Sequence, residues 1–511
     1  MNTTMNLRPR LVAIALLCVA VLAGCSSASR SLPADAVVAS ASTVERTPPA
    51  LAVLPPLVPV YAPSSKVAGV SISGLTPVEA ETVLSAALAE HIMPLQLVAD
   101  EYSQTIDPTT IAVRPDLSAM LAAAAPALGS DMPVSVPLQL AFDQAALREQ
   151  MAAFAVASAT APTLTVLSST DVLSRSFAYV PGRKINLDRS FEIVSSFLRR
   201  GQTADPIFLT RWPTDPPRAS FAQLAEQLEA MAAAWDGVIG VYLYDLATGA
   251  EVAVNAHSVF AGASTIKTAI MLYGYAKLAE FSERQKENMR AMIIESDNLA
   301  ANDILAAGAG GTNTETAFRG AEEMSDMLAD LGLEHLYLYI PFESLDYIKL
   351  YNVKFRCGPK DPVGEPPYTE TGCALRATPY AMGQLYRMID ECARGEGTLL
   401  ERFELLTPNR CQEMLDLLSE NADDTRMVGG IPAGVRVEHK SGWIEHTQAD
   451  AGIVRSTGGD YVLAIYVYKP LGDQWAWPDE VLGGAIADVS RLVYTAYNPI
   501  RLDTLPVGEM P

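Results

Sequence analysis

Basic residues are in short supply in this sequence, which has 37 Lys and Arg against 59 Asp and Glu and a formal net charge of −22. Nucleic-acid phosphates would repel such a chain, so we expect no nucleic-acid partner. A small molecule, a cell-wall polymer or a protein remains as the target. With 49% hydrophobic residues over 511 positions, the chain can still form two or three globular domains.

Cysteine is also scarce, with six residues in the chain. Their spacing fits no zinc-binding pattern, and we expect neither a metal nor a cofactor. After the first 25 residues four cysteines remain: Cys357, Cys373, Cys392 and Cys411. An even number permits two disulfides in an oxidising compartment. Proximity in the sequence favours the pairs 357–373 and 392–411, although three pairings are open from the sequence alone.

Long apolar runs are missing beyond the N-terminus. The run "LVAIALLCVAVLA" (11–23) follows Arg8 and Arg10 and is shorter than the about 20 apolar residues that span a bilayer. A basic start, a short apolar core and small residues at its end are typical of an export signal. The run ends in "LAGC", which resembles the bacterial lipobox, whose cysteine is lipidated after cleavage. We therefore expect an exported protein of the cell envelope, held on a bacterial membrane by a lipid at Cys25.

The next two segments differ sharply in composition. Residues 26–65 are rich in Ser, Ala, Pro and Thr and are predicted to form a disordered tether. Residues 66–215 alternate strand-like and helix-like pieces, with one helix beginning at Thr76-Pro77, and predict a smaller α/β domain. Its "GVSISGLTPVEA" and "YVPGRKINLD" resemble peptidoglycan-binding domains found beside cell-wall enzymes. A plain spacer domain is the alternative.

A proline-rich joint, "RWPTDPPRAS" (211–220), leads into the last part of the chain. Ser220 and Gln223 predict a capping box at the start of a helix. A strand hairpin follows from 238, and the chain closes with three strand-like runs and a helix. Helices and strands in this order predict one α/β domain with an antiparallel sheet over about 219–500.

One lysine in "FAGASTIKTAIMLYGYA" (260–276) interrupts an apolar, helix-like run. Burying an ammonium group costs free energy, so a lysine in such a run indicates that function requires it. Residues three positions apart share a helix face. Lys267 would therefore lie beside Ser264, the only serine three positions before any of the ten lysines. A desolvated lysine can lose its proton and activate a hydroxyl. The helix start offers backbone N–H groups to a developing oxyanion.

Two more motifs follow in the chain, S-D-N at 296–298 and K-S-G at 440–442. The order S-x-x-K, S-D-N, K-[ST]-G resembles the class A β-lactamases and their relatives among the penicillin-binding proteins. The resemblance covers about 219–500. It implies an α/β (α+β) fold of the β-lactamase/transpeptidase type, with an antiparallel sheet and a helical subdomain.

The resemblance implies a role for each residue on the helical side. Ser264 would be the nucleophile and Lys267 its general base. Ser296 would pass a proton to the leaving nitrogen. Asn298 would hold the substrate amide and help to fix Lys267.

On the strand side, the resemblance implies substrate binding. Lys440 and Ser441 would bind the substrate carboxylate, and Gly442 completes the motif. The backbone N–H groups of Trp443 and Ser264 would form the oxyanion hole.

The sequence departs from the family in two places. Ser264 and Ser296 are 32 positions apart, about half the usual interval, so the pocket should be more open. The E-x-x-x-N motif, whose Glu activates the deacylating water, has its best match at Glu365, but Thr369 stands where Asn is expected. Glu370 is a poorer match. Without such a base, the acyl-enzyme would persist.

The G-x-S-x-G elbow of Ser-His-Asp hydrolases is absent, since Ser264 has a glycine only at 262. The resemblance to class A β-lactamases implies a serine hydrolase acting on β-lactam amides through an acyl-serine. Two alternatives stay open. One is a D,D-carboxypeptidase or transpeptidase that acts on peptidoglycan stem peptides. The other is a non-catalytic wall-binding or drug-sensing lipoprotein.

Overall fold

Strands and helices alternate along the chain in the computed structural model, which describes residues 58–89, 92–169, 173–202, 204–470 and 479–504. The first elements are β1 Lys66–Val67, β2 Val70–Ser71, α1 Pro77–Leu88, β3 Leu95–Ala99, β4 Tyr102–Ile106, β5 Arg114–Pro115, α2 Leu117–Ala124, β6 Ser135–Val136, β7 Leu140–Ala141, α3 Gln144–Ala157, β8 Thr163–Ser168, β9 Arg175–Val180, β10 Arg183–Ile185, α4 Leu187–Arg199, β11 Ile207–Phe208 and β12 Arg211–Pro213.

The later elements form the larger part of the structure. They are α5 Phe221–Ala234, β13 Val238–Asp245, β14 Glu251–Val254, β15 Phe260–Ala261, α6 Lys267–Lys277, α7 Glu283–Ile294, α8 Asn298–Gly308, α9 Thr314–Asp330, β16 Tyr337–Leu338, α10 Leu345–Tyr351, β17 Leu375–Ala377, α11 Pro379–Ala393, α12 Thr398–Arg402, α13 Pro408–Leu418, β18 Arg436–Ile444, β19 Thr447–Arg455, β20 Tyr461–Tyr468, α14 Gly484–Tyr497 and β21 Ile500–Arg501. A 3-10 turn, Ala263–Ile266, precedes α6.

The predicted export signal (1–25), its lipidation site Cys25 and residues 26–57 of the predicted tether lie outside the described residues. The chain divides into two units, Met1–Pro59 and Val60–Pro511. In the part of the chain that the structure describes, no helix combines the length and the apolar character needed to cross a membrane.

A five-stranded antiparallel sheet forms the centre of the larger part, in the order β14-β13-β20-β19-β18. This architecture confirms the predicted mixed helix and sheet class with an antiparallel sheet. Helix α5 begins with the predicted capping box, in which Ser220 Oγ accepts from the Gln223 N–H (3.2 Å). Strand β18 is an edge of this sheet, so one side of its backbone pairs with no other strand among the described residues.

Both faces of the sheet are covered, which explains the unbroken apolar run of β20. Alternate residues of a strand point to opposite faces. Leu463 and Ile465 pack with α5 and α14, whereas Ala464 and Tyr466 pack with the helical region that contains α6, α8 and α11. In β18, residues 438–442 are buried, whereas Trp443 and Ile444 at the end of the strand are exposed.

Residues 60–215 contain two small cores of their own. Helices α1 and α2 pack with β1 and β6, and α3 and α4 pack with β3 and β4. The antiparallel hairpin β8–β9 pairs in parallel with β21, and Phe177 of β9 joins the core beneath α14. The predicted domain division near 215–219 stays a prediction.

Two disulfides join Cys357 to Cys373 and Cys392 to Cys411, the pairs that sequence proximity favours. The first closes the loop before β17. The second ties α11 to α13, and both of its cysteines are fully buried. The two bridges span 16 and 19 positions.

Replacing Cys392 and Cys411 together by alanine should lower the free energy of unfolding by about 3 kcal/mol, because a loop of this length loses that much entropy in the unfolded chain when it is closed. Urea unfolding followed by circular dichroism measures the change. The control is a comparison of both proteins in excess reductant, which opens both bridges of the wild type and the remaining Cys357–Cys373 bridge of the variant, so that the two should then unfold at the same urea concentration. A variant as stable as oxidised wild type would contradict this account of the bridge.

Candidate active site

Ser264 lies in the 3-10 turn between β15 and α6. The preceding residue, Ala263, has φ +45°. This left-handed backbone conformation is unfavourable for any residue other than glycine. This turn leaves Ser264 half-buried while Ile266 and Lys267 are fully buried. The nucleophile predicted from the sequence is therefore accessible at the start of a helix whose body is inside the protein.

Lys267 and Ser264 are in direct contact, as the S-x-x-K spacing predicts. The Lys267 Nζ is 3.0 Å from Ser264 Oγ, 3.2 Å from Ser296 Oγ, 2.6 Å from the Ser296 carbonyl oxygen and 2.7 Å from Asn298 Oδ1. Four oxygens thus surround an amine that has at most three hydrogens. In the neutral amine, a lone pair faces one of the two hydroxyls and can accept its proton.

The environment of Lys267 favours this neutral form. Burial, followed by the positive charge of Lys440, lowers the pKa of Lys267 to about 7. The charges of Asp297 and Glu343 act in the opposite direction. An appreciable fraction of this lysine is therefore unprotonated near neutral pH, as a general base requires.

The S-D-N motif forms the loop between α7 and α8. Ser296 has φ +60°, and the Asp297 carboxylate caps α8 by accepting from the Ala300 N–H at 2.7 Å. This cap fixes Asn298 at the first turn of α8, where its side chain has two contacts. Its Oδ1 accepts from Lys267, and its Nδ2 donates to Glu343 Oε1 at 2.9 Å.

The K-S-G motif lies on the edge strand β18, opposite the turn that contains Ser264. A Cβ atom at Gly442 would lie 2.5 Å from the Ser264 backbone nitrogen, so only glycine allows this close approach. The strand thereby brings Trp443, the other predicted oxyanion donor, to the same turn. The indole of Trp443 is 67% exposed.

Lys440 is 1% exposed and donates to the Ser441 carbonyl oxygen at 2.9 Å. Burial lowers its pKa to about 8, although the charges of Asp450 and Asp423 oppose the shift. A lysine on a solvated strand face would be neither buried nor lowered in pKa. Lys440 and Ser441 line a cavity of about 170 Å³ together with Ser296 and Trp443.

Glu365 is not part of this cluster. It lies on the exposed loop closed by the first disulfide, and its backbone carbonyl accepts from Ser258 Oγ at 3.3 Å. It lines a separate cavity with His257, His335 and Tyr380. Among the described residues, its carboxylate forms no hydrogen bond or ion pair with Ser264 or Lys267.

Glu343 is the residue that the sequence reasoning missed. It reaches Lys267 through Asn298, and the Phe342 ring lies 4.7 Å from Lys267 Nζ. Two hydrogen bonds between the Phe342 backbone and the Asn302 side chain, at 2.9 and 2.8 Å, hold this segment against α8. The E-x-x-x-N pattern does not identify Glu343, because Tyr347 stands four residues later where the pattern requires Asn.

No group of three or more His, Cys, Asp or Glu side chains in the described ranges is arranged to hold a metal ion. The side chains in contact around Ser264 and Lys267 supply hydroxyls, an amine, an amide and a carboxylate.

A family model and several solved structures match the larger part of this chain. Residues 223–288 and 284–497, more than half of the chain, match the model of the β-lactamase enzyme family. A PBP-A mutant solved as an acyl-enzyme complex with penicillin G is 22% identical over 56% of this chain and 99% of its own, with a TM-score of 0.40. An ancestral class A β-lactamase of Gram-negative bacteria is 24% identical over 54% of this chain and 100% of its own, with a TM-score of 0.39. No curated protein matches the chain. The predicted β-lactamase/transpeptidase-like fold is confirmed.

Proposed function

Since the chain belongs to the β-lactamase enzyme family, we propose that it is a serine hydrolase that opens β-lactam amides through an acyl-Ser264 intermediate. The observation that carries this proposal is the 3.0 Å contact between Ser264 Oγ and the amine of Lys267. That contact, in a buried site that lowers the pKa of the lysine to about 7, pairs a nucleophile with its base.

Acylation begins when neutral Lys267 takes the hydroxyl proton of Ser264 and the oxygen attacks the lactam carbonyl carbon. The backbone N–H groups of Ser264 and Trp443 stabilise the negative charge on the carbonyl oxygen. Ser296 then gives its proton to the leaving nitrogen as the C–N bond breaks, and Lys267 returns its proton to Ser296. The 3.2 Å distance from Lys267 Nζ to Ser296 Oγ supports this relay.

The substrate carboxylate binds to Lys440 and Ser441 at the edge strand. A protonated lysine supplies the charge. The Ser441 hydroxyl, which donates to Asp423 in the free protein, turns to the substrate and supplies a directional hydrogen bond. Since the carboxylate of a β-lactam is attached to the ring that carries the leaving nitrogen, this contact orients that nitrogen toward Ser296.

We assign deacylation to Glu343 in place of Glu365. The Glu343 carboxylate takes a proton from water and the water oxygen attacks the acyl carbon. As the C–O bond to Ser264 breaks, the Ser264 oxygen takes a proton from Lys267, which receives in exchange the proton held by Glu343, so that Glu343 is again ionised and Lys267 again neutral. The hydrogen bond from Asn298 Nδ2 at 2.9 Å supports this role, because it fixes the carboxylate one side chain away from Lys267.

Peptide amides that end in a carboxylate fit the same groups, so D,D-carboxypeptidase or transpeptidase activity on stem peptides is the second candidate. Only α6 and α7 connect Ser264 to Ser296, and both serines are partly exposed. This short connection favours a site open enough for a longer substrate.

The cellular setting is also a proposal. We infer that the protein is exported and held on a bacterial membrane by a lipid at Cys25, with residues 66–215 contacting peptidoglycan. The two disulfides support an oxidising compartment. Replacing Cys25 by alanine should move the protein from the membrane fraction to the soluble fraction of cells; unchanged fractionation would contradict the anchor.

A chromogenic cephalosporin tests the proposed function. Sustained colour release with return of the protein to its original mass supports a β-lactamase. A stable mass increase without turnover would instead support the peptidase or the drug sensor, and release of D-alanine from stem peptides would separate these two. Neither turnover nor a mass change would reject the lactam reaction.

The rate of the reaction should depend on pH as a bell-shaped curve. The value of kcat/KM rises as pH passes about 7, because Lys267 must be neutral to act as the base. It falls as pH passes about 8, because Lys440 must stay protonated to bind the carboxylate. Rates measured between about pH 5 and about pH 10 check this curve, and a rate that declines on going from about pH 6 to about pH 7 would contradict it.

A further inference from the structure

Two carboxylates line the 170 Å³ cavity that contains Lys440 and Ser441, those of Glu295 and Asp423. Asp423 is fully engaged. It forms an ion pair with Arg426 and accepts from the Thr425 N–H and hydroxyl at 3.0 and 2.7 Å.

The ionisation of Asp423 is fixed by the same contacts. Burial alone would raise its pKa, but the hydrogen bond from Ser441 and the charge of Arg426 outweigh burial and lower the pKa. Asp423 is therefore ionised, and its charge is already balanced within the protein.

Glu295 differs from Asp423 in its exposure and in its lack of side-chain partners. Its side chain is exposed, and it has no hydrogen bond or ion pair among the described residues. Its backbone is nevertheless fixed from both sides. The Ile294 carbonyl accepts from the Ala422 N–H at 3.1 Å, and the Ser296 carbonyl accepts from Lys267 at 2.6 Å. The carboxylate thus projects from a rigid backbone at the cavity rim.

The charge pattern of the cavity follows from these contacts. At its base, Lys440 is a buried cation whose hydrogen bond goes to a neutral backbone carbonyl. At its rim, Glu295 is an anion that forms no ion pair in the part of the chain that the structure describes, since Arg426 of the same cavity pairs with Asp423. A ligand that carries an anion and a cation a short distance apart complements both groups.

Resting on the proposed function, we propose that Glu295 determines specificity by binding a cationic group on the leaving-group side of the substrate. That group lies next to the carboxylate held by Lys440 and Ser441. Among β-lactams, the matching ligands are cephalosporins with a charged substituent at the C3 methylene. Among peptides, the matching ligand has a cationic side chain on its C-terminal residue.

Cephaloridine and cephalothin test this inference because they share the same acyl side chain and carboxylate. They differ only at the C3 methylene, which carries a pyridinium in the first and a neutral acetoxy group in the second. The ratio of their kcat/KM values, or of their acylation rates if turnover is absent, should fall about fivefold in Glu295→Gln, as expected for one partly exposed ion pair. Comparing ratios cancels the intrinsic reactivity of the two drugs.

Two controls accompany the measurement. Glu229→Gln, at an exposed position of α5 outside the cavity, should keep the wild-type ratio. High salt should lower the wild-type ratio toward that of Glu295→Gln, because it screens an exposed ion pair. An unchanged ratio in Glu295→Gln, with both drugs still acylating the protein, would overturn the inference and leave the proposed function standing. Acylation by neither drug in wild type would overturn both.

Discussion

Replacing Lys267 by methionine should lower the rate of Ser264 acylation by about 1000-fold, the range that a positioned general base contributes. Methionine fills a similar volume but cannot accept the hydroxyl proton, so Ser264 Oγ stays a weak nucleophile. Rapid mixing with benzylpenicillin, acid quenching and mass spectrometry give the rate. Because the substitution removes a buried amine without leaving a cavity, the thermal midpoint should not fall enough to explain the loss.

Lys277→Met is the matched control for this experiment. Lys277 ends the same helix, and its side chain is 44% exposed and paired with Glu323 at 3.8 Å. Ser264 of the Lys277→Met variant should be acylated at the wild-type rate. Equal rates for Lys267→Met and wild type would show that another group activates the serine.

Replacing Glu343 by glutamine should slow deacylation by at least about 100-fold and leave acylation nearly intact. Glutamine can still accept the Asn298 hydrogen bond through its amide oxygen, so the site keeps its shape, but it cannot take a proton from water. The acyl-enzyme should then accumulate, with a burst of product equal to one turnover and a stable increase in protein mass.

Glu365→Gln is the control, since Glu365 occupies the position that the family spacing favours but lies on the far loop. We expect it to turn over like wild type. Accumulation of acyl-enzyme in Glu365→Gln with normal turnover in Glu343→Gln would reverse the assignment of the base.

The groups that the sequence predicts well are those fixed by local rules. The spacing of Ser264 and Lys267 sets one helical turn between them wherever the chain is helical. The pair Ser220 and Gln223 identifies a helix start through a capping box, for the same local reason. The continuous apolar run of β20 indicates a strand whose two faces are both covered.

Glu343 could not be found in this way, because its position depends on contacts distant in sequence. Glu343 is held near Lys267 by its neighbour Phe342. The side chain of Asn302, 40 residues earlier in the chain, binds both the N–H and the carbonyl oxygen of Phe342. A left-handed residue, Glu343 itself at φ +57°, then turns the chain. Pattern spacing instead selected Glu365 as the best match to E-x-x-x-N, although Thr369 stands in place of Asn, and its loop is closed away from the site by the Cys357–Cys373 disulfide.

The burial of Lys440 could not be predicted from the sequence either. A lysine in a strand is most often solvated, and only the packing of the helical region over the edge strand leaves this one 1% exposed. The free carboxylate of Glu295 has the same origin, since the cavity that makes it relevant is formed by segments from α7, β18 and the chain before β18.

The site of acylation is the most direct measure of this account, in which the buried amine of Lys267 makes the Ser264 hydroxyl reactive. Protein quenched in acid during reaction with benzylpenicillin should gain the mass of one drug molecule, and peptide mapping should place it on Ser264. Ser264→Ala should gain none. A drug adduct of equal extent on Ser264→Ala, or one mapped to a different residue in wild type, would contradict the account.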